Sequence, residues 1–173
     1  WTLLVYMIGA KLNKNEIDLK IIRERKKEIK IILNKLNDYL CLHIENQIKA
    51  GADVVQIFDS WAGLIPSNEL EEFCYTPNLR IVEFCKTKKI PVICFPKGIK
   101  ENYKDFNNIV KPNGINIDYS IDPHWAKENL KDCVIQGGLD PKALLLSEKE
   151  INNNIKKYLD AFKGLPYIFN LGH

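Results

Sequence analysis

Hydroxyls, an imidazole, a lysine and several carboxylates recur in this chain just after short apolar runs. Asp59, Ser60 and Trp61 follow one such run in FDSWAG, and Pro96 and Lys97 follow another in FPKG. Asp118 and Tyr119 come next in IDYS, then Gly137 to Pro141 in GGLDP, then Asn170 and His173 in NLGH. Tyr6 lies in the opening WTLLVYM, near where an earlier strand would end. If the runs are parallel strands of a barrel, their C-terminal ends share one rim, which is where barrel sites collect. Tyr6, Ser60 and His173 would then offer two hydroxyls and an imidazole to a common ligand. An imidazole with an ordinary pKa of about 6.5 can donate to a carboxylate in either protonation state. Taken singly, each residue has a plainer reading. Tyr6 reads as a packed strand tyrosine, Ser60 as a turn or helix-cap serine, and His173 as a solvated terminal residue. Asp59 reads equally as pocket lining or as the cap of the next helix. Lys97 and Asp118 reach the rim by geometry alone, and Asp140 before Pro141 reads as a turn cap. His43 and His124 read as surface or internally satisfied histidines.

The elements that must position these residues alternate. Asp53 to Phe58, Ile90 to Phe95, Gly114 to Asp118, Cys133 to Gln136 and Tyr167 to Leu171 are short, β-branched and nearly apolar on both faces, as parallel strands are. A long lysine-rich helix is predicted over Asn15 to Ala50. Its stripe is Ile29, Ile32, Leu33, Leu36, Leu40, Ile44 and Ile48, with Gly51 as its left-handed stop. Tyr103 to Val110 suits a helix, Asp122-Pro123 opens another, and SEKE from Ser147 is a capping box for a third that ends near Lys163. Arg80, in LRIVEF, also reads as helical. The pattern predicts one α/β domain with a parallel sheet, either open or closed into a barrel. Neither DSWAG nor GGLDP has the spacing of a dinucleotide loop, and no Walker A sequence occurs.

Composition narrows the partners. The 173 residues are 46% hydrophobic and 27% charged, as in ordinary globular domains. A net charge of +3 from dispersed lysines gives no nucleic-acid stripe. No apolar run approaches the roughly 18 residues of a membrane span. The five cysteines are odd in number, lack a C-x-x-C pair and mostly sit in apolar runs, which fits reduced thiols in a cytosolic protein. The only arginines are Arg23, Arg25 and Arg80.

Four stretches taken together resemble the uroporphyrinogen decarboxylase family. WTLLVYM, AGADVVQIFDSWAG, IQGGLDP and IFNLGH stand in that family's order and rough spacing and span almost the whole chain. The resemblance implies a (β/α)8 barrel, here running from the end of its third strand through its eighth, as a partial domain over residues 1–173 without the N-terminal strands and the final helix. It implies that Tyr6 is the active-site tyrosine and that Ser60 contacts substrate. By the same match, His173 lines the pocket near substrate carboxylates and Phe58 forms part of an apolar wall. It implies a tetrapyrrole substrate, a cytosolic homodimer, and no metal or organic cofactor. The family's catalytic aspartate and its N-terminal arginines have no counterpart in this stretch. IGAKLNKNE stands where the family has a glycine-rich loop, Gly138 stands where asparagine is common, and Tyr119 where tryptophan is common.

The implied reaction removes carbon dioxide from an acetate arm of a pyrrole. With no arginine at a strand end, the stretch alone is expected to hold a polyanion poorly and to be inactive. Two other readings are a corrinoid-dependent methyltransferase of the same fold, which needs His and Cys zinc ligands at strand ends, and a non-catalytic gene fragment.

Overall fold

Five β-branched runs form strands that lie side by side in chain order: β1 (Val55–Asp59), β2 (Val92–Pro96), β3 (Gly114–Ile117), β4 (Val134–Gly137) and β5 (Tyr167–Ile168). Every pairing is parallel. The computed structural model describes residues 1–8 and 19–172, with 19–21 as backbone only. The start of the predicted long helix, the loop from Gly9 to Glu16, and His173 lie outside the described residues.

The register sorts the strand side chains onto two faces. Val55, Val92, Cys94, Ile115, Ile117 and Ile135 point one way and are buried in the core beneath the helices. Gln56, Phe58, Ile93, Phe95, Asn116, Gln136 and Ile168 point the other way. On that inner face Gln136 Nε2 donates to Gln56 Oε1 at 3.4 Å, spanning two intervening strands, so the sheet is curled like the wall of a barrel.

The crossovers carry the helices. α1 (Thr2–Met7) and α2 (Leu19–Glu24) precede α3 (Lys26–Lys49), and the predicted single helix is interrupted at Arg25 (φ −111°, ψ 28°). Ile29, Leu33 and Ile44 of the stripe are buried, along with Asn37, whose amide donates to the Pro77 carbonyl at 3.1 Å. Gly51 ends this helix at φ +100°. α4 (Thr76–Thr87) carries Arg80 and packs on α3. α5 (Tyr103–Val110) and α6 (Pro123–Asn129) follow, the latter capped by Asp122. α7 (Glu148–Ala161) starts at a complete capping box of Ser147 and Glu150 and stops two residues before Lys163.

The opening segment differs from the strand-like expectation. Trp1, Leu4 and Val5 are buried while Leu3 and Met7 are exposed. Burial at one-four-five spacing is helical, not the alternation of a strand. Tyr6 is therefore carried on a helix.

Candidate active site

β1 ends at Asp59, and the chain turns at once into Ser60 and Trp61. Asp59 is buried, 3% exposed as a residue. Its Oδ1 accepts the Thr2 backbone N–H at 2.9 Å and the Thr2 hydroxyl at 2.7 Å. Asn78 Nδ2 donates to its Oδ2 at 3.4 Å, and the Trp1 backbone nitrogen lies 3.7 Å from the same oxygen. The Thr2 hydroxyl in turn accepts the Trp61 N–H at 3.1 Å, and the Trp1 indole donates to the Trp61 carbonyl at 3.1 Å. The start of α1 is thus fastened to the residues on either side of Ser60. Asp59 does not cap the following helical turn, which was one of its two sequence readings; its carboxylate instead accepts the first N–H of α1.

Tyr6 is four residues after Thr2, so it stands on the same face of α1 one turn further on. It is 62% exposed, and Ser60 is half-buried on the turn below the latch. Ser60 thus follows the C-terminal end of β1, and Tyr6 is exposed on α1. Phe58, two residues before Ser60, is 55% exposed on the inner face and meets Phe95 edge-on at 6.0 Å. The chain end reaches the same rim. Gly172 N–H donates to the Leu139 carbonyl at 2.6 Å, and Gly172 packs against Tyr119.

Neighbouring turns lock this rim together. Lys97 N–H donates to the Asp59 carbonyl at 3.2 Å, and Gly63 N–H donates to the Lys97 carbonyl at 2.8 Å. A Cβ on Gly63 would stand 2.7 Å from the Gly98 oxygen, so the glycine of SWAG is required by backbone contact. Asp118 is buried and accepts from the Gly98 N–H, the Tyr103 hydroxyl, and the Ser120 N–H and hydroxyl. Burial and the adjacent Asp118 push the Tyr103 phenol well above its ordinary pKa. Asp140 caps a short 3-10 turn through the Lys142 N–H. Cys94 points away from the inner face and is fully buried.

No arginine reaches this rim. Arg23 pairs with Glu69 at 3.3 Å, Arg25 approaches Glu28 at 3.9 Å, and Arg80 binds Asp38 and the Asn34 carbonyl. A cavity of about 260 Å³ follows the outer edge of β1 beneath α3 and takes in Phe58 and Asp59, but neither Tyr6 nor Ser60. Among the described residues, no three His, Cys, Asp or Glu side chains converge as a metal site requires. No helix among them is long and apolar enough to cross a membrane.

Comparison with known proteins identifies this arrangement. The profile of the family described as uroporphyrinogen decarboxylase (URO-D) matches residues 1–173. The chain belongs to the uroporphyrinogen decarboxylase family. Proteins named uroporphyrinogen decarboxylase are 37% identical to it in Rickettsia bellii and 35% identical in Jannaschia sp. strain CCS1 and in the Wolbachia of Brugia malayi. Each match takes in 100% of this chain and 50–52% of the relative. The chain therefore spans about half the length of the curated relatives it matches. β1 to β5 are consecutive parallel strands of the α/β barrel of the uroporphyrinogen decarboxylase family.

Sequence reasoning left Thr2 and Asn78 out of the rim. Neither carries a local signal, because the acceptor they share with the Trp1 nitrogen lies 57 and 19 residues away from them.

Proposed function

We propose that this chain supplies the C-terminal part of a uroporphyrinogen decarboxylase, a partial barrel domain of a cytosolic homodimer that removes four acetate carboxyls of uroporphyrinogen III as carbon dioxide. Protonation of a pyrrole carbon makes the ring an electron sink. The bond between the acetate methylene and its carboxyl then breaks, carbon dioxide leaves, and the electron pair enters the ring. A proton delivered to the methylene carbon gives a methyl group, and release of the first proton from the ring carbon restores the aromatic pyrrole, so one proton is consumed for each carbon dioxide lost. The protonated pyrrole takes the electrons itself, so the chemistry calls for no metal or organic cofactor. Preorganised negative charge near the pyrrole nitrogens lowers the barrier, and in this reading that group comes from the other half of the barrel.

Tyr6 and Ser60 would donate to acetate or propionate carboxylates, Phe58 would form part of an apolar wall, and His173 would line the pocket near substrate carboxylates. The observation that carries the reading is the match of the whole chain to the family, and the bonds from Thr2 to the residues on either side of Ser60 support it. The test is to express residues 1–173 alone and together with the N-terminal half of the Rickettsia bellii relative, and to follow carbon dioxide release from uroporphyrinogen. Turnover is expected only from the pair, and should fall when Tyr6→Phe or Ser60→Ala is introduced. An active pair indifferent to both substitutions would overturn the site assignment. Turnover by residues 1–173 alone at the rate of a complete relative would overturn the need for the other half.

A further inference from the structure

Resting on that reading, we propose that Asp59 is a positioning residue that holds Tyr6 and Ser60 as one rigid pair, through a latch in which Thr2 bridges the two sides of the Ser60 turn. Asp59 precedes Ser60 and Trp61 follows it. Both are bonded to Thr2, the first through its N–H and hydroxyl and the second through its hydroxyl oxygen. Tyr6 stands one helical turn from Thr2 on the same face. Any tilt or slide of α1 that moves Tyr6 relative to Ser60 must first break these bonds.

The hydroxyl of Thr2 is used in both directions. It donates its proton to Asp59 and accepts one from Trp61, so a carboxylate or an amide oxygen at position 59 orients it equally. Asn78 donates to the second oxygen at 3.4 Å, which helps to fix the carboxylate plane. The group is buried on the helix-facing side of β1, whereas Phe58 beside it faces inward. Asp59 therefore acts through α1 and the turn rather than on substrate. Reacting groups misplaced by about 1 Å lose rate steeply, so a latch of this kind is read in kcat before KM.

Two measurements test the proposal. The first uses residues 1–173 and needs no activity. Amide exchange followed by NMR should show the Thr2 N–H exchanging at least tenfold faster in Asp59→Ala, with α4 and β3 amides unchanged, while Asp59→Asn keeps most of the protection. The second uses the reconstituted pair. Asp59→Ala should lower kcat at least tenfold with KM changed less than threefold, and Asp59→Asn should recover most of the loss. On a Tyr6→Phe background the same Asp59→Ala change should cost no more than about threefold, because the pair it positions has already lost its hydroxyl. Unchanged Thr2 exchange in Asp59→Ala would overturn the latch. Equal losses on both backgrounds would overturn positioning and leave a purely structural aspartate. If Tyr6→Phe itself retains full activity, the role of Tyr6 in the proposed function fails, and the latch is then judged by exchange alone.

Discussion

Gln136 and Gln56 are 80 residues apart in sequence and separated by two intervening strands in the sheet, yet their side-chain amides meet at 3.4 Å. In a flat sheet with strands about 4.8 Å apart, the first and fourth backbones would stand about 14 Å from each other. Two glutamines rising side by side from such a surface do not touch. Curling the sheet tilts them toward one another, and the contact measures the same curvature that brings the strand ends into a common rim. A double-mutant cycle with Gln56→Leu and Gln136→Leu should therefore show coupling of about 0.5–1 kcal/mol in urea unfolding, the range for a partly exposed neutral hydrogen bond. Strictly additive losses would mean the sheet is flatter in solution.

The Asp118 carboxylate accepts four hydrogen bonds, one more than that of Asp59. It joins the turn after β2, the start of α5 and the turn after β3 through four hydrogen bonds. Asp118→Ala strands the Tyr103 hydroxyl and the Gly98 N–H, and should cost about 3 kcal/mol of unfolding free energy. Tyr103→Phe removes one bond and should cost about 1 kcal/mol. Urea denaturation of the purified variants checks both values. A loss for Asp118→Ala below about 0.5 kcal/mol, the level of an ordinary surface change, would show that the turns hold without it.

These two networks also mark what the sequence disclosed. The strands and the later helices follow from local rules: β-branched runs, Asp122 ahead of Pro123, and the reciprocal bonds of Ser147 and Glu150. Each signal lies within a few residues of the structure it makes. α1 was hidden because WTLLVYM is apolar at nearly every position, so period two and period 3.6 both fit, and burial of Trp1, Leu4 and Val5 decides between them only after folding. The same limit hid the purpose of Asp59. Its partners Thr2 and Asn78 are distant in sequence, and nothing local separates a pocket carboxylate from a latch. Ser60 and Tyr6 stand out in sequence as residues near expected strand ends and Phe58 only through the family resemblance, whereas the bonds of Thr2 to Asp59 and Trp61 lie in no motif.

Gly138 stands where the family resemblance leads one to expect asparagine, and the surroundings explain why this chain keeps glycine. Its φ is +109°, and a Cβ there would stand 2.7 Å from Cε1 of Tyr158 and 3.2 Å from Ile117. Tyr158 is itself tied to the Gly138 carbonyl at 2.7 Å, so it cannot swing aside without losing that bond. Gly138→Asn should destabilise the chain by about 2–3 kcal/mol. Gly164→Asn is the control, because its φ is +78° and nothing lies within 4 Å. That change should cost less than about 1 kcal/mol. Equal losses at the two positions would show that backbone strain alone, rather than the Tyr158 contact, sets the cost.

Buried thiols give the fold a dependence on alkaline pH. Burial pushes Cys85 up to about 11, and burial with the nearby Asp132 pushes Cys133 up to about 11, from an ordinary 9.0. Desolvation raises Cys94 further, and desolvation with the Asp59 charge does the same for Cys74. In each case the folded chain holds its proton after the unfolded chain has released it. Stability from these groups is thus complete below pH 9, declines as the unfolded thiols ionise, and is lost as pH rises through about 11. The melting temperature under reducing conditions should be level up to about pH 8.5, the ordinary ionisation range of a free thiol, and should fall steadily above it. The double variant Cys85→Ala, Cys133→Ala starts from a lower melting temperature but should show a shallower alkaline slope, since two of the proton-retaining groups are gone. A slope unchanged by the double substitution would place the alkaline sensitivity elsewhere, with the buried Tyr103 phenol as the group to replace next.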